Sequence, residues 1–226
     1  MKYAKLGKSD LTVSRICMGC MGFGDSSNGQ HGWTLDDSAS RKIIKYGLKN
    51  GINFYDTAIA YQNGTSEQFV GRALRDFGKR DDFVIATKFL PRSQEEIEKN
   101  VSGQKHIENS LNQSLKNLGL DYVDLYIYHM WDYHTPMEEI MEGLHEVVKA
   151  GKARYVGISN CFAWLLTKVT SPVVGATKRS HVDGAVKAVD LVLSEEEIDC
   201  LEELYVPHAL AGVMAQNGKQ MAGNVV

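Results

Sequence analysis

The amino-acid sequence predicts an α/β fold, a TIM-type (β/α)8 barrel, from three observations. Short apolar runs alternate with amphipathic stretches five times in succession. The runs are apolar on both faces, which suits strands of a parallel sheet buried beneath helices. Polar residues recur at the C-terminal ends of the runs, at Asp56, Lys88, His129 and Asn160. A barrel collects its functional groups at that end of its strands.

Each element follows from local signals. "SRICMGCM" reads as the first strand of the sheet. "LDDSASRKIIKYGLKNG" has helical periodicity, with Thr34 as N-cap and Gly51 just past its end. "INFYDTA" is the second strand and "SEQFVGRALRDFG" its helix, capped by Ser66 and stopped by Gly78. "FVIATK" is the third strand. Its helix, "HIENSLNQSLKNLG", places Ile107, Leu111, Leu115 and Leu118 on one face and ends at Gly119. "VDLYIYH" is the fourth strand, followed by "PMEEIMEGLHEVVKAG" with Pro136 in its first turn and Gly151 past its end. "RYVGISN" is the fifth strand.

An open, doubly wound sheet is the competing closure. A dinucleotide fold of that kind carries G-x-G-x-x-G after its first strand. Here Gly19, Gly22 and Gly24 fall in the wrong order for that turn. The polar strand ends favour the barrel.

Composition narrows the function. With 226 residues, 43% hydrophobic and 23% charged, the chain reads as one globular domain, residues 1–226, rather than disorder. A net charge of −3 gives no electrostatic case for nucleic acid, and no basic run marks a membrane surface. No stretch approaches the roughly 18 consecutive apolar residues that span a bilayer. "MKYAKLGKSDLTV" lacks the apolar region of a secretion signal, so a cytoplasmic protein is expected. Cys17 and Cys20 have redox or zinc spacing, but Cys161 and Cys200 are isolated; reduced thiols are expected.

The strand-end residues have ordinary explanations one by one. Asp56 can cap the next helix, Tyr61 can be packing with a wet hydroxyl, Lys88 can snorkel, and His129 can be a satisfied core histidine. Together they suit a proton delivered to a carbonyl oxygen. A buried ammonium favours phenolate and lowers a phenol's pKa from about 10. An aspartate keeps that ammonium charged, and a histidine can polarise a carbonyl by hydrogen bonding.

"NFYDTAIAY", "FVIATK", "LDYVDLYIYH" and "VGISN", in this order and at these strand positions, resemble the aldo-keto reductases. The resemblance implies Tyr61 as general acid, Lys88 as the residue that lowers its pKa, Asp56 as the lysine's partner and His129 as the carbonyl's orienter. "MKYAKLGKSDLTVSRICMGCMGFG" resembles the family's N-terminal β-hairpin, which plugs the barrel floor, followed by the first strand. Gly19, Cys20 and Met21, with Asp56, then fall near the cofactor's ribose and nicotinamide. Ser159 and Asn160 of "GISNC" fall where the carboxamide is held. "SPVVGATKRSHVDGAV" resembles the last strand and the adenosine-phosphate loop. There Gly175, Ala176 and Thr177 offer backbone and hydroxyl donors, while Lys178 and Arg179 add positive charge. Charge there favours a 2′-phosphate, hence NADPH. His181 stands where an arginine is often found, and Gly184 and Ala185 replace an acidic–asparagine pair.

The match breaks between Trp164 and Leu165. Residues 1–164 correspond to strands one to five, 165–206 to strand eight and the C-terminal helices, and 207–226 to a loose tail. At about 30 residues per strand-plus-crossover unit, strands six and seven account for roughly 60 absent residues. That stretch would hold the family's glutamine on the carboxamide and the aromatic stacked on the nicotinamide. The resulting expectation is a barrel that is incomplete.

The leading function is NADPH-dependent reduction of an aldehyde or ketone to an alcohol on a small carbonyl substrate; Trp131 reads equally as a pocket wall or as a core tryptophan. Two readings compete: a Schiff-base aldolase using Lys88, and a non-catalytic, reductase-derived binding module. No metal is expected.

Overall fold

Strands β1 (Tyr3–Lys5) and β2 (Thr12–Ser14) pair antiparallel as the expected hairpin, with Tyr3 opposite Ser14 and Lys5 opposite Thr12. The computed structural model of the chain describes residues 1–130, 135–159 and 173–188. Six parallel strands follow: β3 (Cys17–Gly19), β4 (Phe54–Asp56), β5 (Val84–Phe89), β6 (Val123–Tyr128), β7 (Ala153–Ile158) and β8 (Val173–Gly175). Their order is β7-β6-β5-β4-β3-β8.

That order separates the two closures. A doubly wound sheet reverses direction at a switch point. Here the strands advance one place at a time, and the last returns beside the first, with Gly19 opposite both Asp56 and Gly175. This is the seam of a barrel. Residues 160–172, between β7 and β8, are fewer than one strand-plus-crossover unit of about 30. The sheet of described strands therefore ends at β7 on one side and β8 on the other.

The helices are α1 (Asp37–Lys49), α2 (Thr65–Phe77), α3 (Gln94–Glu98), α4 (Gly103–Leu118), α5 (Met137–Lys149) and α6 (Arg179–Ala188). Ile107, Leu111, Leu115 and Leu118 are buried, as the periodicity of α4 requires. Several caps differ from expectation. Asp36, not Thr34, caps α1 by accepting from Ala39 N; Thr34 is buried and its hydroxyl donates to Gly24 O. Gly64 precedes α2, and Ser66 donates instead to Cys20 O beneath the strand ends. Pro136 is the N-cap of α5, one position earlier than expected. Gly119 closes α4 in the left-handed region at φ +65°.

Strand alternation sorts the core into two clusters. Met18, Tyr55, Ile85 and Tyr126 face the helices, among Ile44, Leu74, Leu111 and Leu144. Cys17, Phe54, Val84 and Ala86 face the other way, against Leu11 and Val13 of the hairpin. The hairpin is held at the strands' N-terminal ends. Arg154 bridges Asp10 (2.9 Å) and buried Asp124 (3.0 Å), and Arg80 reaches Asp124 at 2.6 Å. These residues line a cavity of about 320 Å³ at the end opposite the polar cluster described below. No described helix is long and apolar enough to cross a membrane. The expected tail, Trp131, Asn160, Cys161 and Cys200 lie outside the described residues.

Candidate active site

Hydrogen bonds continue the sheet past its strand ends. Cys20 N donates to Asp56 O, Thr57 N to Ala86 O, Ile59 N to Lys88 O, His129 N to Phe89 O and Ser159 N to Tyr128 O. The loops after β3, β4, β6 and β7 are thereby each tied to a neighbouring strand. Asp56 and Lys88 have the inward parity of Phe54 and Ala86, so both side chains leave the helix-facing layer and enter the mouth.

Lys88 Nζ has three protons and three acceptors: Asp56 Oδ1 at 2.6 Å, Thr57 O at 2.7 Å and Tyr61 Oη at 3.3 Å. Both Lys88 and Asp56 are buried. Burial works against the ammonium, but the charge of Asp56 and the bonds to Asp56 and Tyr61 outweigh it, so Lys88 sits above its ordinary pKa. It is a fixed cation. A Schiff-base lysine must present a neutral amine; Lys88 presents the opposite, and the aldolase reading loses its nucleophile.

Tyr61 accepts from Lys88, which leaves its own proton to donate into the mouth. The expected lowering of its pKa is corrected here. Burial pushes the phenol above its ordinary value; the Lys88 charge pulls down but does not prevail, and Asp56 adds to the rise. Tyr61 is therefore a protonated phenol at neutral pH. His129 stands edge-on to it, with ring centroids 5.7 Å apart and planes at 80°. Burial, then the Lys88 charge, draws His129 down to about 4, so its imidazole is neutral at pH 7. The structure thus gathers all four residues expected to be catalytic.

The turn carrying Tyr61 is strained. Gln62 (φ 48°, ψ 47°) and Asn63 (φ 50°, ψ 43°) are consecutive left-handed residues without being glycine. Such positions cost of order 1–3 kcal/mol each and persist only where surroundings impose them. Sequence reasoning missed Gln62, although a glutamine directly after the tyrosine and ahead of Asn-Gly was a visible signal. It also missed Glu67, fully buried on α2, whose carboxylate accepts from Thr87 Oγ1 at 2.6 Å and Asn117 Nδ2 at 2.8 Å. Burial raises the pKa of Glu67 against those bonds. The Thr57 carbonyl carried no sequence signal, because backbone has none.

The remaining expected residues fall in two groups. Gly19 ends β3, Cys20 is buried with its amide on Asp56, Met21 is partly exposed, and Ser159 follows β7. Cys17 and Cys20 are free buried thiols, both pushed up chiefly by burial, which suits packing rather than redox work. The second group lies where β8 meets α6. Ala176 is buried, Lys178 is exposed, and the Arg179 guanidinium lies 5.3 Å from the centre of the Tyr46 ring. Thr177 N donates to His181 Nδ1 at 3.4 Å. A helix N-terminus beside two cations fits a phosphate, since first-turn amides lack intrahelical partners and the helix dipole favours negative charge. Among the described residues no cluster of three or more metal-binding side chains occurs.

A parallel barrel-type sheet with a lysine–aspartate–tyrosine–histidine cluster at its C-terminal mouth defines a class, and comparison places the chain within it. The Aldo/keto reductase family profile matches residues 15–163, and the chain belongs to that family. It is 38% identical over 182 residues to versiconal hemiacetal acetate reductase of Aspergillus parasiticus, covering 73% of this chain and 52% of that one. It is 37% identical over 170 residues to aryl-alcohol dehydrogenase [NADP(+)] of Phanerodontia chrysosporium, covering 71% and 44%. The solved aldo-keto reductase AKR11C1 from Bacillus halodurans (holo form) aligns with a TM-score of 0.60 at 34% identity, over 77% of this chain and 56% of that one. The chain thus spans about half the length of the curated relatives it matches.

Proposed function

We propose that the protein reduces an aldehyde or ketone to an alcohol with NADPH, in the cytoplasm, with Tyr61 as general acid. The observation that carries this reading is the Lys88 ammonium, saturated by Asp56, Thr57 O and Tyr61 Oη. It fixes the phenol oxygen and leaves the phenol proton to donate. NADPH, when bound, supplies the hydride. Neutral His129 donates a second hydrogen bond to the carbonyl oxygen, so negative charge developing there meets two donors. The names of the relatives, two of them a reductase and an NADP-linked alcohol dehydrogenase, support carbonyl–alcohol chemistry. Lys178, Arg179 and the α6 N-terminus would hold the 2′-phosphate, with Gly175, Ala176, Thr177 and His181 beside it; Gly19, Cys20, Met21 and Ser159 would face the nicotinamide end.

The test is NADPH oxidation with a reactive aryl aldehyde, alongside fluorescence titration of NADPH and NADH. The reading predicts turnover and tighter NADPH binding, the latter lost on neutralising Lys178 and Arg179 together. Equal weakening for both cofactors would refute the 2′-phosphate assignment. A second reading, a non-catalytic binding module, is favoured by the sheet of described strands, which ends at β7 and β8. It predicts cofactor binding or none, and no turnover.

A further inference from the structure

We propose that Gln62 is a positioning residue that clamps the loop between β3 and α1 onto the turn carrying Tyr61, so that loop and phenol are placed as one unit. The role of Tyr61 rests on the function proposed above; the clamp rests on geometry. Gln62 is 1% exposed. Its Nε2 donates to Asp25 O at 2.8 Å and His31 O at 3.0 Å, and its Oε1 accepts from His31 N at 2.9 Å. One amide thus closes both ends of the 25–31 segment. The neighbours add to it: Asp25 N donates to Thr65 Oγ1, which donates to Gln62 O, and Asn63 Nδ2 donates to Asn28 Oδ1.

The loop is shaped to receive this side chain. Gly24 and Gly29 have φ of +137° and +141°. A Cβ on Gly24 would lie 2.7 Å from Gln62 Cβ, and one on Gly29 would lie 2.6 Å from Gln62 Cα. Beyond the clamp the loop carries the stacked His31–Trp33 pair, 5.1 Å between centroids, with Trp33 largely exposed. A Cβ on Gly22 would meet Thr177 Cγ2 at 2.9 Å and Trp33 at 3.6 Å. The same loop therefore runs from the Tyr61 turn to the segment that opens α6. An apolar side chain would anchor a loop by packing alone. Here a buried amide, all but its alkyl stem engaged, sits on a left-handed backbone next to the phenol. Releasing it lets the turn relax and moves Tyr61.

The test is Gln62→Asn, which tolerates the left-handed backbone but is one methylene short of the loop. Three signals are read: amide exchange over 25–31, amide exchange over α2, and the Tyr61 ring resonance in ring-¹³C-tyrosine protein, assigned by its loss in Tyr61→Phe. Losing hydrogen bonds of this kind should speed loop exchange about tenfold or more, displace the Tyr61 resonance and leave α2 exchange within about twofold. Where turnover is measurable, kcat falls by about tenfold or more, because small misplacement of a reacting group is costly. Unchanged loop exchange, or a loosened loop with the Tyr61 resonance unmoved, overturns the clamp. If Gln62→Asn also melts α2, Gln62→Gly decides by the same signals, and melting of α2 in both overturns the proposal. A parent protein without turnover refutes the proposed function, yet leaves the exchange and resonance results decisive here.

Discussion

Lys88 spends each ammonium proton on a separate acceptor, and removing it strands a carboxylate. Lys88→Met should cost about 3–5 kcal/mol, the range for breaking a buried pair from one side, read by urea unfolding. Adding Asp56→Asn should recover much of that stability without restoring reduction; a double variant no more stable than the single would contradict the pairing. His129 gives the pH dependence. Its folded value of about 4 lies below the usual 6.5, so between those values the unfolded chain binds more protons. Its contribution is fully present above about pH 6.5 and is lost as pH falls toward 4. After allowance for partial exposure, about 2 kcal/mol of stability should disappear over that window. His129→Gln should flatten this part of the curve, and an unchanged slope would show that other groups carry it.

At the scale of elements, α2 and α4 cross at Gly71, where a Cβ would lie 2.1 Å from Leu118 O. Backbone cannot yield as a side-chain tip can. Gly71→Ala should therefore destabilise by about 1–3 kcal/mol, despite alanine's better helix propensity, whereas Gly184→Ala in α6, with nothing within 4 Å, should be neutral or stabilising. Matching thermal shifts for the two variants would contradict this crossing. The sequence made α4 legible through its apolar face and the strands through their two-sided apolarity. It misplaced the caps of α1 and α2, because Thr34 and Ser66 have cap-forming side chains committed elsewhere, to Gly24 O and Cys20 O. Short α3 was unread, although Ser93 and Glu96 form a capping box. The site's residues were legible because they recur at strand ends; the direction of the Tyr61 shift was not, since it turns on how deeply the fold buries the phenol. Gln62 matters through tertiary contacts that no local pattern encodes.

Among the described residues, the sheet runs from β7 at one edge to β8 at the other. The proposed proton delivery draws on the adjacent strands β4, β5 and β6 and on the Tyr61 turn that follows β4. The resemblance implies that strands six and seven, which have no counterpart in this sequence, would help hold the nicotinamide. Val156 and Ile158 of β7, the edge strand among the described residues, are 40% and 42% exposed, and an exposed apolar edge strand invites pairing with another chain. A protein of this sequence should self-associate in sedimentation, with reductase activity that is weak and rises with association; a monomer with ordinary turnover would contradict that expectation. The central claim, that Tyr61 on Lys88 delivers the proton, is tested most directly by comparing NADPH oxidation with a reactive aryl aldehyde in the parent protein and in Tyr61→Phe. Tyr61→Phe should lose about 10²–10⁴-fold in turnover while its NADPH affinity and folding change little. A variant retaining half the parent's turnover would contradict that role for Tyr61.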